Sequence, residues 1–108
     1  MNDQAFNTLL EMQRLYTELT QDAVELRAFV ETLERIDQRY QALSTFYQDH
    51  WLALVESDCL SEAQQHALDE AVAPNTYSIL GEDTIWNTIS EIHQNYLTLL
   101  KSLAQKIS

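Results

Sequence analysis

Glycine and proline are almost missing from this 108-residue chain, which holds one of each. The first 73 residues contain neither, and Pro74 and Gly81 enclose one short segment. These two residue types interrupt helices and strands more strongly than any others. Their placement therefore predicts a long helical N-terminal part, one connection and a closing helix.

The chain also lacks the local signatures of catalysis and of metal binding. With a single glycine it has no glycine-rich phosphate loop and no Gly-x-Ser-x-Gly motif. None of its three histidines follows a glutamate by three residues, as the di-iron sites of helical bundles require. Glu62, His66 and Glu70 share one helix face, which we predict to point to water. We therefore expect no enzymatic activity, no metal and no cofactor.

Long apolar runs and paired cysteines are missing as well. The longest apolar runs, such as Trp51–Val55, are far shorter than the roughly 20 residues that a membrane span needs. The start of the chain carries no basic residue before Arg14, unlike a signal peptide. Cys59 is the single cysteine and allows no internal disulfide, which is typical of a reducing compartment. We expect a cytoplasmic protein without a membrane partner.

Basic residues are scarce and unevenly distributed. The net charge is −11, and residues 41–100 hold nine acidic residues but no lysine or arginine. Residues 1–40 hold eight acidic residues and four arginines. So acidic a surface repels nucleic acid and attracts basic proteins. We expect no nucleic-acid partner, and two interpretations stay open: the charge serves solubility alone, or it serves a basic protein partner.

The positive signal is apolar spacing over residues 4–57. One register recurs every seven residues, at Met12, Leu19, Leu26, Leu33, Tyr40, Tyr47 and Leu54. A second register, formed by Leu9, Tyr16, Ala23 and Val30, fails at Asp37 and Ser44. Such spacing predicts helix, with Asp3 as its N-cap. One straight helix would measure about 80 Å, so we expect a bend or break between Asp37 and Thr45, and one helix or two is left open.

Two further helices follow. Ser61-Glu-Ala-Gln64 has the form of a capping box, which predicts a short helix from Glu62 to about Val72 that Pro74 ends. The closing helix carries apolar residues at steps of four and three, at Ile85, Ile89, Ile92, Tyr96, Leu99 and Leu103. We therefore predict an all-α fold with a long N-terminal helix, a short middle helix and a long C-terminal helix. They are expected to form an antiparallel helical bundle in a single domain, residues 1–108.

The candidate interaction residues come from one aromatic and one acidic motif. They are Tyr47, Trp51, Asp58, Leu80, Glu82, Asp83 and Ile85. Tyrosine and tryptophan are frequent anchors of protein interfaces, although helical spacing favours core packing for the aromatic motif. We expect the two carboxylates, Glu82 and Asp83, to lie in the first turn of the last helix, where its positive end stabilises them, and we favour this structural role over a ligand site.

Two segments together resemble the signatures of a known family. One is Phe46-Tyr47-Gln-Asp-His-Trp51, followed by Asp58. The other is Tyr77-Ser-Ile-Leu-Gly-Glu-Asp-Thr-Ile-Trp86, which is similar to the family signature Gly-Val-Leu-Ser-Glu-Asp-Ala-Ile-Tyr. Ser78 and Gly81 stand where this signature has glycine and serine. The family is the small bacterial one catalogued as domain of unknown function 4298, and the resemblance implies an all-helical bacterial cytosolic protein without catalytic residues to transfer.

The functional hypotheses follow from the charge and the apolar spacing. We expect a small acidic helical protein that serves as a protein–protein interaction or self-assembly module. Its partner is then another protein, a basic one included, or a second copy of itself. The alternative is an inhibitor of the immunity or antitoxin kind, whose acidic surface binds a basic protein.

Overall fold

Every regular element of the described part of the chain is helical. The computed structural model describes residues 1–57 and 60–107. Its elements are α1 (Asp3–Phe46), a π-helical turn (Tyr47–Trp51), α2 (Leu52–Ser57), α3 (Glu62–Ala71) and α4 (Thr84–Ile107). The predicted all-α fold class is thereby confirmed. None of the helices in these ranges combines the length and the apolar character of a membrane span.

The chain divides into two units, residues 1–38 and 39–108. The first unit holds Met1, Asn2 and the first part of α1. Its cap is Asn2, not Asp3 as the sequence predicted, because the Asn2 side-chain oxygen accepts a hydrogen bond from the Ala5 backbone N–H at 2.7 Å. The Asn2 carbonyl also accepts from the Phe6 N–H at 3.0 Å, and Asp3 is the first helical residue. The expectation of a single domain stays a prediction.

The expected break between Asp37 and Thr45 is absent, because α1 continues to Phe46. The alternative, a bend in this segment, stays a prediction. The first irregularity is the π-helical turn at Tyr47–Trp51, and α2 follows it directly. Without glycine or proline nothing forces the backbone out of helical geometry in this part of the chain. A π-helical turn changes the direction of the following side chains while the backbone stays hydrogen-bonded.

The short middle helix is confirmed together with its cap. The Ser61 hydroxyl accepts from the Gln64 N–H at 3.1 Å, and the Gln64 side chain accepts from the Ser61 N–H at 3.0 Å. The helix ends at Ala71, since Val72 is extended, with a ψ of 108°. Pro74 restricts Ala73, the residue directly before it, so the helix ends one residue earlier than the proline alone requires.

The connection from α3 to α4 consists of tight turns. In the first, Thr76 donates its N–H to the Ala73 carbonyl at 3.1 Å, and Asn75 has a φ of 65°. In this turn of residues 73–76, Pro74 is the second residue and Asn75 the third. A type II turn favours proline and asparagine at these positions, because asparagine tolerates a left-handed backbone. In the second turn, Gly81 donates to the Ser78 carbonyl at 3.0 Å. The connection is thus ordered by its own hydrogen bonds.

Helix α4 provides the most buried side chain of the described residues. Ile85 is 1% exposed. Half-buried residues follow it along the stripe that the sequence predicted: Ile89, Ile92, Tyr96 and Leu99. Within unit 2, Tyr40 of α1 makes an edge-to-face contact with Tyr96 of α4, and the two ring centroids are 5.6 Å apart.

Candidate functional site

A hydrogen bond from Trp51 organises the candidate site. The indole Nε1–H donates to the backbone carbonyl of Ile79 at 2.7 Å, across 28 positions of the sequence. Tyr47 lies beside the same indole, with ring centroids 5.6 Å apart and an angle of 41° between the rings. The π-helical turn carries both aromatic side chains. It therefore brings the aromatic motif of the sequence into contact with the connection.

The other candidate residues take different positions. Leu80 is half-buried and Ile85 is buried, so both contribute to packing. Glu82 and Asp83 are exposed and precede α4, which begins at Thr84 and not at the acidic pair. The Asp83 carbonyl accepts from the Asn87 N–H at 2.9 Å, as an N-cap residue does. Asp58 lies outside the described residues.

The connection separates two open grooves, both within unit 2. The first, which we call the connection groove, has a volume of about 860 Å³ and lies between residues 75–81 and the first turns of α4. The second, the tryptophan groove, has a volume of about 520 Å³ and is lined by Phe46, Trp51, Leu54 and Leu80, among others. Ile79 borders both grooves.

The two grooves differ in chemistry. Two carboxylates, Asp83 and Glu91, line the connection groove together with hydroxyl and amide side chains such as Thr88 and Asn87. The tryptophan groove is lined mainly by aliphatic and aromatic side chains. A cationic ligand with an apolar part therefore suits the connection groove, and an apolar side chain suits the tryptophan groove.

The histidine-containing face of α3 is a solvent-exposed surface. His66 Nε2 lies 3.0 Å from Glu70 Oε1, and both side chains are at least 70% exposed. This agrees with the predicted direction of that face. Across residues 1–57 and 60–107, no three histidine, cysteine, aspartate or glutamate side chains converge as a metal site.

The comparison with family models decides the affiliation. A model described as Domain of unknown function (DUF4298) matches residues 9–102 of the 108. The chain belongs to this family. No curated protein and no solved structure matches the chain.

In this DUF4298 protein the two signature segments meet at one atom pair. Trp51 ends the first segment, and Ile79 lies inside the second. The indole satisfies a carbonyl that belongs to a turn and has no place in a helical ladder. We conclude that Trp51, which the sequence marked as a candidate for recognition, positions the connection. The sequence did not indicate Ile79 as a partner of Trp51, because every residue has a backbone carbonyl and the residue type does not show which one accepts a hydrogen bond.

The structure also relates two departures from the DUF4298 signature to each other. Gly81 stands in the place of serine, and Thr84 stands in the place of alanine. A Cβ atom added at Gly81 would lie 2.7 Å from Thr84 Oγ1 and 3.3 Å from the Ser78 carbonyl oxygen. A contact of 2.7 Å is too short for non-bonded carbon and oxygen. A side chain at position 81 would therefore force the Thr84 side chain to move from this conformation.

Proposed function

We propose that this DUF4298 protein is a protein–protein interaction module that associates with a second copy of itself. The observation that supports the proposal is the apolar surface of α1 in unit 1. Ten large apolar side chains between Leu9 and Val30 are 39–67% exposed. Unit 1 contains no other element that could cover them.

These side chains form what we call the α1 face. Its members are Leu9, Leu10, Met12, Leu15, Tyr16, Leu19, Val24, Leu26, Phe29 and Val30. Those at seven-residue intervals correspond to the a and d positions of a heptad repeat, the pattern of helices that pair along their length. Large exposed apolar surface along one helix marks interaction sites in soluble proteins. The proposal assigns binding to this surface and no catalytic activity.

The charge distribution favours a second copy as the occupant. Residues 1–40 offset half of their eight acidic residues with four arginines, whereas residues 41–100 hold nine acidic residues and no lysine or arginine. Two copies therefore repel each other least when they meet through their N-terminal parts. In a parallel pair, Asp22 and Arg27 of the second copy occupy the g and e positions that form interhelical ion pairs. This pairing supports a parallel arrangement.

Within unit 2 we propose that the end of α1 packs antiparallel against α4. Three observations support this: Tyr40 contacts Tyr96, Leu43 shares the connection groove with Glu91, and Trp51 binds the Ile79 carbonyl. Residue numbers thus rise along one partner and fall along the other. The antiparallel bundle predicted from the sequence then corresponds to unit 2. As its location we propose the bacterial cytoplasm.

Sedimentation equilibrium tests the self-association. We expect the mass of the wild type to rise from one chain to two with concentration. Leu19→Gln with Leu26→Gln should shift this transition to higher concentration by at least about tenfold, since each buried leucine is worth about 1.5–3 kcal/mol. The matched control is Leu52→Gln with Leu100→Gln, two leucines that are 58% and 64% exposed outside the α1 face. The proposal would be contradicted if the wild type stayed a single chain at every concentration. It would also be contradicted if the control substitutions weakened self-association as much as Leu19→Gln with Leu26→Gln.

The second candidate function is the inhibitor of the immunity or antitoxin kind. The stretch of 60 residues without lysine or arginine favours it, because a uniformly acidic surface attracts a basic protein and repels its own copies. Its binding would weaken with salt, whereas association through the apolar α1 face would persist. The salt dependence therefore distinguishes the two functions.

A further inference from the structure

The connection groove is a second surface, in the other unit from the α1 face. Its apolar part includes Leu43, Ile79 and the buried Ile85. Tyr77 also lines the groove and is 80% exposed. The volume of about 860 Å³ falls in the range of sites that bind ligands.

The charge at the groove has one sign. Asp83 directly precedes α4, Glu91 lies about two turns further along the chain, and both contribute to the lining. No lysine or arginine occurs between residues 41 and 100. Lys101 is ten residues beyond Glu91, about 15 Å along the helix, and Arg39 precedes Leu43 by one helical turn. The carboxylates thus have no basic neighbour in the lining of the groove.

We propose that the connection groove binds a short segment of a partner protein in which arginine or lysine alternates with apolar residues. The cationic groups pair with Asp83 and Glu91, and the apolar residues contact the aliphatic wall. The exposed ring of Tyr77 adds a face for a cation or an apolar side chain. Charge complementarity selects this occupant over nucleic acid, which the acidic surface repels. The inference concerns a different surface from self-association and does not depend on it.

A pair of matched peptides tests the charge requirement. The probe is an acetylated and amidated heptapeptide, Gly-Leu-Arg-Ser-Leu-Arg-Gly, and its control has glutamine in both arginine positions. Nuclear magnetic resonance titration of the full chain should show saturable shifts at Tyr77 and along residues 83–91. We expect the arginine peptide to bind about tenfold more tightly, and to weaken when salt rises from about 50 to about 500 mM. Equal affinities, or no saturable shift at millimolar peptide, would overturn the proposal.

Substitutions in the groove test its location. Asp83→Asn with Glu91→Gln should weaken peptide binding by about tenfold, while asparagine keeps the capping ability of position 83. The matched control, Asp49→Asn with Glu56→Gln, removes two exposed carboxylates outside the groove and should change affinity less than about twofold. Tyr77→Ser should weaken binding with an unchanged thermal melt. If the control variant lost as much peptide affinity as the groove variant, the peptide would be attracted only by the overall negative charge of the protein.

Two further measurements test whether the groove acts independently of the α1 face and whether its apolar wall contributes to binding. The Leu19→Gln/Leu26→Gln variant should bind the peptide as the wild type does, because the α1 face takes no part. A peptide with glycine in both leucine positions should bind at least about tenfold more weakly than the probe, since it keeps both arginines but cannot use the apolar wall. Binding of this peptide as tight as that of the probe would overturn the apolar part of the proposal.

Discussion

At the scale of single residues, Trp51 performs a structural task that its residue type makes possible. Indole combines a large apolar ring with one N–H donor, which needs a partner when the ring is covered. Here the ring is half-buried beside Tyr47, and the donor reaches the Ile79 carbonyl at 2.7 Å. Packing and hydrogen bonding thus come from one side chain, and they hold the connection against the helical segment that precedes α3.

We predict that Trp51→Phe destabilises the protein by about 1–3 kcal/mol, because the Ile79 carbonyl loses its donor and the smaller ring leaves space. Urea denaturation measures this. Trp86→Phe is the matched control, since Trp86 is 56% exposed, and it should cost less than about 0.5 kcal/mol. Equal effects of the two substitutions would show that the hydrogen bond contributes nothing to stability.

Residue-level prediction succeeded where the partners are close in sequence. The capping box of Ser61 and Gln64 spans three residues, and both of its hydrogen bonds are present. The N-cap of α1 was assigned to Asp3 in place of Asn2, since two adjacent residues with capping ability cannot be distinguished by type. The sequence does not predict that Trp51 donates to the Ile79 carbonyl, because a hydrogen bond across 28 positions depends on the fold.

At the scale of elements, the π-helical turn and the connection decide how the candidate residues are placed. The length of the predicted N-terminal helix suggested a bend or break between Asp37 and Thr45. The helix has no break there, and its first irregularity is the π-helical turn at Tyr47–Trp51. A π-helical turn has no composition signal comparable to glycine or proline, so the sequence did not predict it.

The start of α4 yields an element-level prediction. Gly81→Ser alone should destabilise the protein by about 1–3 kcal/mol, because the new Cβ atom crowds Thr84 Oγ1. Thr84→Ala in the same chain should recover most of this loss, since alanine lacks the crowding oxygen. The pair then matches the DUF4298 signature, and a double-mutant cycle in urea measures the coupling. Purely additive effects would show that the two positions do not interact.

At the scale of the whole molecule, the sequence predicted helices well and their partners poorly. The stripe of α4 from Ile85 to Leu99 is buried or half-buried, as its spacing predicted. The spacing of α1 is equally regular, yet all residues from 1 to 31 are exposed. Periodicity identifies a face that needs covering, and it carries no information on which surface covers it. This is the gap that self-association through the α1 face would close.

Amide hydrogen exchange of residues 9–30, followed over a range of protein concentrations, tests this account most directly. The exchange of a helical amide slows when its helix is stabilised by packing. We predict fast exchange in this segment at low concentration and increasing protection as copies associate, with α4 protected throughout. Exchange that stays fast at every concentration, or that is slow and independent of concentration, would contradict the pairing of two copies through the α1 face.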